Sequence, residues 1–198
     1  MSNPNLFFST PVWVTKIKDY VNINNDIYKY IKDMQSIDEE GVTKSNVNGW
    51  HSKDFNLANE QPRKFISNIS ENINSVLKDM NWDDPNQKVK ISSMWAIINK
   101  GGAANARHHH GNSDISAAYY VRAPENCGDI VFYDPRPAPV FSHPKAKSPN
   151  SLNAMINSIK PIEGYLILFP SYLEHSVNSN ISKKERIVIS FNINIGNR

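Results

Sequence analysis

Apolar positions recur with two different periods along this chain. In the N-terminal part, Ile27, Tyr28, Ile31 and Met34 stand at i, i+1, i+4 and i+7, the stripe of a helix running from about Asn24 to Met34. Asn24 or Asn25 reads as its N-cap. Phe65, Ile66, Ile69, Ile73, Val76, Leu77 and Met80 repeat at the same spacing and predict a second helix. Gln61-Pro62 opens it, because a proline in the first turn gives up an N–H that would have no partner there. Asn81 to Pro85 ends it. Before the first helix, Phe7 to Val14 reads as a strand interrupted by Pro11, and so as an edge strand. Ser45 to Phe55 is polar with two aromatics and reads as a loop or short strand.

After residue 88 the period changes to two. Val89–Ile98, Ser116–Arg122, Asp129–Tyr133, Gly164–Phe169 and Ile187–Ile195 are short strand-like runs divided by Gly-, Pro- and Asn-rich turns. Helices followed by strands predict an α+β, mainly β architecture: a sandwich or barrel with helices packed on one face. Helical support spans about 20–85 and the β core about 88–198, within one domain over 1–198. The stretch Pro135 to Pro149, with further prolines at 137, 139 and 144, reads as a long loop over the barrel, of a length that is functional or mobile in a compact domain.

Composition narrows the class. A chain of 198 residues with 39% hydrophobic and 21% charged residues is long enough and apolar enough to bury a core. The single cysteine, Cys127, excludes an internal disulfide and reads as a packing residue before Gly128. No run approaches the roughly 18–20 apolar residues of a membrane span. The N-terminus lacks a basic signal-peptide start, which makes the cytoplasm the expected compartment. A net charge of +3 is spread out rather than striped, so nucleic acid is not indicated as a partner. Abundant Asn, Ile and Lys suggest an AT-rich genome, bacterial or phage.

Candidate chemistry lies in the histidines. In an extended backbone His108 and His110 share a face, and two imidazoles on one face make a metal pair. His175 follows the apolar run to Phe169 and a turn, at what would be a barrel mouth, and offers a third ligand. Imidazole suits iron, zinc, copper or nickel alike. Arg186 opens the last apolar strand, where a charge is costly unless paired. Its partner is either a bound anion or a surface acid such as Glu185. Tyr119 and Tyr120 give one ring to each face of their strand.

These pieces form an ordered series from Met94 to Asn194: Met94-Trp95-Ala96-Ile97-Ile98-Asn99, Asn105-Ala106-Arg107-His108-His109-His110, Ile115 to Val121, Gly128 to Arg136, Gly164 to Pro170, His175-Ser176-Val177 and Arg186 to Asn192. The series resembles the 2-oxoglutarate- and iron(II)-dependent oxygenase superfamily, and more narrowly a bacterial and phage group related to prolyl hydroxylases. The N-terminal Phe8 to Trp13 and Gly49-Trp50-His51-Ser52 also look like that group. The resemblance implies a double-stranded β-helix (jelly-roll, cupin-like) core and hydroxylation of a small-molecule or peptide substrate, peptidyl or free amino acid, with release of succinate and CO2. It implies Fe(II), 2-oxoglutarate and O2 as cofactor and cosubstrates. It places His108 and His175 on two metal positions and His110 where the family usually carries a carboxylate, with Asp114 as the rival. Arg186 and Tyr120 would hold the C5 carboxylate of 2-oxoglutarate, with Asn99 a further cofactor-binding candidate. Trp95, Asn192, Asp134 and Arg136 would line the substrate space. A cupin-like metal protein of other activity would keep the histidines without needing Arg186; a non-enzymatic β-barrel binding module would need neither.

Overall fold

The computed structural model describes residues 3–137, 142 and 144–196. In chain order the elements are β1 (Trp13–Lys16), α1 (Tyr20–Ile37), β2 (Asn46–Val47), β3 (Trp50–His51), α2 (Glu60–Asp79), β4 (Val89–Asn99), β5 (Ala104–His108), β6 (Ile115–Arg122), β7 (Ile130–Tyr133), β8 (Ile156–Ile159), β9 (Tyr165–Pro170), β10 (His175–Val177) and β11 (Arg186–Ile195). A six-stranded sheet has the order β1-β9-β6-β11-β4-β3 and a five-stranded sheet the order β2-β5-β10-β7-β8. From β4 to β11 the chain passes back and forth between the two sheets, save for the β7–β8 pair that stays in the smaller one. This alternation is the double-stranded β-helix that the resemblance implied, and the described elements are mainly β, with the two helices α1 and α2. Among the described residues no helix is long and apolar enough to cross a membrane.

The six-stranded sheet is covered on both faces, and side-chain alternation sorts its residues. Met94, Ala96 and Ile98 of β4, Tyr119 and Val121 of β6, and Ile187, Ile189, Phe191 and Ile193 of β11 pack with Ile27, Ile31, Phe65, Ile69 and Leu77 of the helices. The opposite face of the same strands turns Ala118, Tyr120, Ile167, Phe169 and Val188 toward Ile130 and Phe132 of the smaller sheet. The helices thus seal one face, and the space between the sheets is left for a site.

Three sequence expectations shift. The first strand covers Trp13–Lys16, not Phe7–Val14: it begins beyond Pro11, at the first residues able to pair with β9, and it does lie at the sheet edge. The first helix starts earlier than Asn24, behind Asp19, so neither Asn24 nor Asn25 caps it. Asn24 is instead fully buried within the helix, its Nδ2 donating to the Val121 carbonyl at 2.9 Å and its Oδ1 accepting from the Tyr119 hydroxyl at 2.7 Å. Third, β5, β8 and β10 are absent from the sequence reading; they have five, four and three residues and are defined by their neighbours. In the proline-rich stretch, residues 138–141 and 143, Pro139 among them, lie outside the described residues.

The Asn24–Tyr119 pair fastens α1 to the central sheet. Tyr119→Phe leaves a buried carbonyl oxygen without its donor, at a cost of about 1–3 kcal/mol. A lower urea midpoint at unchanged slope is expected in equilibrium unfolding; an unchanged midpoint would show that this bond adds nothing net.

Candidate metal centre

Between the sheets lies a cavity of about 370 Å³. Its floor and walls follow from strand alternation: Ser93, Trp95 and Ile97 of β4, and Arg186, Val188, Ser190 and Asn192 of β11, all line it. The smaller sheet contributes the histidines. His108 ends β5 and His175 begins β10, and the two are directly opposite in the antiparallel register, with ring centroids 4.3 Å apart. His110 lies just beyond β5, its backbone N–H bonded to the Ser171 carbonyl at 3.0 Å. Its ring centroid is 5.2 Å from each of the other two. One potential ligand atom from each of the three lies within 4.8 Å of the others, the arrangement of a metal site. His109, between them, is exposed.

The tautomers are set by what each ring touches. His108 Nδ1 lies 2.7 Å from the Ala106 carbonyl and His175 Nδ1 3.0 Å from the Leu173 carbonyl. Carbonyl oxygens only accept, so both Nδ1 atoms carry the proton and both Nε2 lone pairs are free. His110 Nδ1 does the same with Asn192 Oδ1 at 2.7 Å. That oxygen also accepts from Ser116 Oγ at 2.9 Å, while Asn192 Nδ2 donates to Ser93 Oγ at 3.1 Å. Ser116 and Ser171 share a further bond at 2.7 Å. Orienting hydrogen bonds of this kind fix ring position and basicity at metal sites. Outside the cavity, Arg107 pairs with Glu174 and lies over the Tyr133 ring at 4.0 Å, tying β5, β10 and β7 together beside the two opposed histidines.

Burial keeps the three rings neutral. It lowers His108, pushes His110 down to about 4 and His175 to about 3, with the neighbouring imidazoles adding to the effect. Neutral imidazoles with free Nε2 atoms are the protonation state a metal needs.

Arg186 is 1% exposed. Its Nη1 donates to the carbonyls of Cys127 at 2.5 Å, Gly128 at 3.0 Å and Asn178 at 3.3 Å. Gly128 makes this cradle possible: its φ is +90°, and a Cβ there would stand 2.1 Å from the Asn178 oxygen. Burial lowers the guanidinium's affinity for its proton, and the nearby Tyr120 hydroxyl opposes this. Among the described residues no carboxylate forms a salt bridge with Arg186, and its Nε and Nη2 have no hydrogen-bond partner; Glu185, the surface acid considered above, pairs with Lys32 at 3.3 Å instead. Tyr120 is likewise 1% exposed and lines the cavity, its hydroxyl held protonated by burial. The two tyrosines do divide between faces, Tyr119 going to the helix side.

The other candidates scatter. Trp95 and Asn192 line the cavity, Trp95 stacked between His51 and His110 with ring centroids 5.6 Å away on either side. Asn99 does not line it: its Nδ2 donates to Asn105 Oδ1 at 3.0 Å, and Asn105 takes the lining position. Gly49 closes over Asn99, since a Cβ there would stand 2.2 Å from its side-chain oxygen. Asp114 is outside the histidine cluster, its Oδ2 accepting from the Ile195 N–H at 2.7 Å. Asp134 and Arg136 pair with each other at 2.8 Å and line a separate cavity of about 500 Å³ beside residues 5–10. His51, buried and cavity-lining, had no expected role beyond its place in Gly49-Trp50-His51-Ser52, the segment that looks like the bacterial and phage group. Nor were the three backbone carbonyls around Arg186 expected, which no side-chain pattern announces.

Comparison with known proteins shows the family and the fold. The family model described as "Putative 2OG-Fe(II) oxygenase" matches residues 93–192. No curated protein matches the sequence. Similar solved structures include a Pseudomonas putida prolyl-4-hydroxylase, at 10% identity and a TM-score of 0.65, covering 94% of this chain and 93% of that one. The viral collagen prolyl hydroxylase of Paramecium bursaria Chlorella virus-1, solved with 2-oxoglutarate, is 15% identical with a TM-score of 0.60, covering 92% and 94%. HygX from Streptomyces hygroscopicus, with nickel and 2-oxoglutarate bound, is 12% identical with a TM-score of 0.61, covering 96% and 88%. At these identities the structures establish a shared fold.

The buried neutral triad has a consequence for pH. With folded values near 4 and 3 against an ordinary value of 6.5, the unfolded chain binds more protons between about pH 3 and pH 6.5. Stability from this source is complete above pH 6.5 and is lost as the pH falls through that window. Metal-free protein is expected to melt at a lower temperature at pH 5 than at pH 7.5, with a smaller drop in His175→Gln. Equal drops in both proteins would place the acid sensitivity elsewhere.

Proposed function

Because the chain belongs to the 2-oxoglutarate- and iron(II)-dependent oxygenase family, we propose that it is a hydroxylase whose Fe(II) is held by the Nε2 atoms of His108, His110 and His175. Its cosubstrate 2-oxoglutarate is anchored on Arg186 and Tyr120. When bound, iron and 2-oxoglutarate supply the oxidising power drawn from O2, with 2-oxoglutarate leaving as succinate and CO2.

The observation that carries this reading is the Arg186 guanidinium: buried at the cavity wall, with three backbone carbonyls on one nitrogen and no carboxylate partner among the described residues. A buried charge in that state calls for an anion. The remaining edge, Nε and Nη2, has the spacing to meet a carboxylate through two parallel hydrogen bonds. The Tyr120 hydroxyl, protonated, adds a third donor. A metal protein with no dianionic ligand would have no use for this arrangement.

The rest of the machinery is positional. Ala106, Leu173 and Asn192 hold the three Nδ1 protons, so each ring presents its lone pair inward without reorganising. Ala118, Val188, Phe169 and Ile130 give the cavity an apolar stretch of wall. His110 occupies the position where the family usually carries a carboxylate. Three neutral ligands therefore leave the bound iron with its full double charge, which strengthens its hold on an anionic cosubstrate. The substrate is a small molecule or a peptide residue. The family relationship and the prolyl hydroxylases among the similar structures support that reading.

Arg186→Lys keeps the charge but loses the fork, and is expected to weaken 2-oxoglutarate binding tenfold or more with Mn(II) binding unchanged. Tyr120→Phe is expected to weaken it about tenfold. Titration of Mn(II)-loaded protein with 2-oxoglutarate by calorimetry measures both; normal affinity in the two variants would sink the assignment of this pocket.

Asn192→Ala frees the His110 ring. A loss of about ten- to a hundredfold in Mn(II) affinity is expected, within the range seen for such orienting partners. An unchanged affinity would mean that His110 is not a ligand.

A further inference from the structure

Resting on the oxygenase reading, one part of the cavity remains unassigned. Lys44, Ser45, His51 and Asp54 line its rim, and all come from the segment around β2 and β3. None belongs to the histidine cluster or to the Arg186 cradle. Lys44 and Asp54 are exposed, and among the described residues neither the Lys44 ammonium nor the Asp54 carboxylate has an ion pair or a hydrogen bond. They do not pair with each other, yet both charges act on the same imidazole, that of His51, with opposite sign. A cation and an anion held apart at one cavity mouth match a ligand carrying the complementary pair.

The path inward is also built. His51 Nδ1 donates to the Ser52 carbonyl at 2.7 Å, which leaves Nε2 as an acceptor. The His51 ring stacks on Trp95 at 5.6 Å and 12°, and Trp95 stacks on His110 at 5.6 Å and 26°. The three rings therefore form a stack that leads from His51 at the rim to His110 of the histidine cluster.

We propose that this rim is the prime-substrate subsite and that its ligand is a free α-amino acid. Its carboxylate lies against Lys44, its ammonium group against Asp54, and its side chain beside the His51–Trp95–His110 stack toward the triad. A residue within a peptide has both α-groups tied up in neutral amides and leaves Lys44 and Asp54 unused. A cavity of about 370 Å³ that must also admit 2-oxoglutarate suits a small ligand better than a chain crossing it. Because the two charges are solvent-accessible, each adds modestly and both are needed.

The test uses the full chain loaded with Mn(II) and 2-oxoglutarate under anaerobic conditions, so that nothing turns over. The twenty protein L-amino acids, free, are compared by paramagnetic NMR line broadening with their N-acetyl, C-amide counterparts. At least one free amino acid is expected to broaden while its capped form does not. Lys44→Gln and Asp54→Asn are each expected to weaken that binding fivefold or more, with Mn(II) and 2-oxoglutarate affinities unchanged. Equal or better binding of the capped forms, unchanged binding in both variants, or no free amino acid bound by loaded protein would each overturn the subsite and leave the oxygenase reading intact. A chain that fails to take up Mn(II) and 2-oxoglutarate would overturn both.

Discussion

Strand β11 is pressed on one side by the helices and faces the cavity on the other, and its ten residues serve both surfaces by simple alternation. Ile187, Ile189, Phe191 and Ile193 fill the helix-side core, while Arg186, Val188, Ser190 and Asn192 line the cavity. Because the side-chain period is two, a slip of one residue would drive an arginine and an asparagine into hydrocarbon and put isoleucines over the histidine triad. Pairing with β4 and β6 on either side fixes the register. The fold and the site are thus the same constraint seen from two faces of one strand.

The cavity is electrostatically one-sided. It holds a buried guanidinium and three imidazoles kept neutral by desolvation, and the acid at its rim, Asp54, is exposed. Asp114, the nearest alternative carboxylate in sequence, is spent on the backbone N–H of Ile195. An interior arranged in this way is incomplete on its own, and its deficit is negative charge.

The parts of this design that depend on periodicity were legible in the sequence. Both helices and the strands β4, β6, β7, β9 and β11 announce themselves because each must bury a face. The apolar run after Arg186 exposed the anomaly of a charge at its head. What escaped was set by tertiary partners. Asn24 looks like a cap because asparagine favours caps, yet a tyrosine hydroxyl and a strand carbonyl satisfy it in the middle of a helix. Strands β5 and β10 are short and partly polar, and exist because they pair with each other, β5 also with β2 and β10 also with β7. They nonetheless carry His108 and His175. Asn99 lies at a strand end where Asn105 displaces it from the cavity, and Asp134 and Arg136 satisfy each other elsewhere.

The β2–β3 segment has a further meaning when set beside the span of the family match. Residues 93–192 contain the triad, Tyr120, Arg186 and Asn192, whereas Lys44, His51 and Asp54 all precede them in the chain. The reactive barrel and the rim that meets the outside world are therefore separate stretches of polypeptide, joined through a two-residue pairing of β3 with β4 and another of β2 with β5. Such a division makes the barrel a reusable engine. On the proposed assignment, selectivity would be set by the β2–β3 segment, which contributes none of the histidine triad, Tyr120 or Arg186.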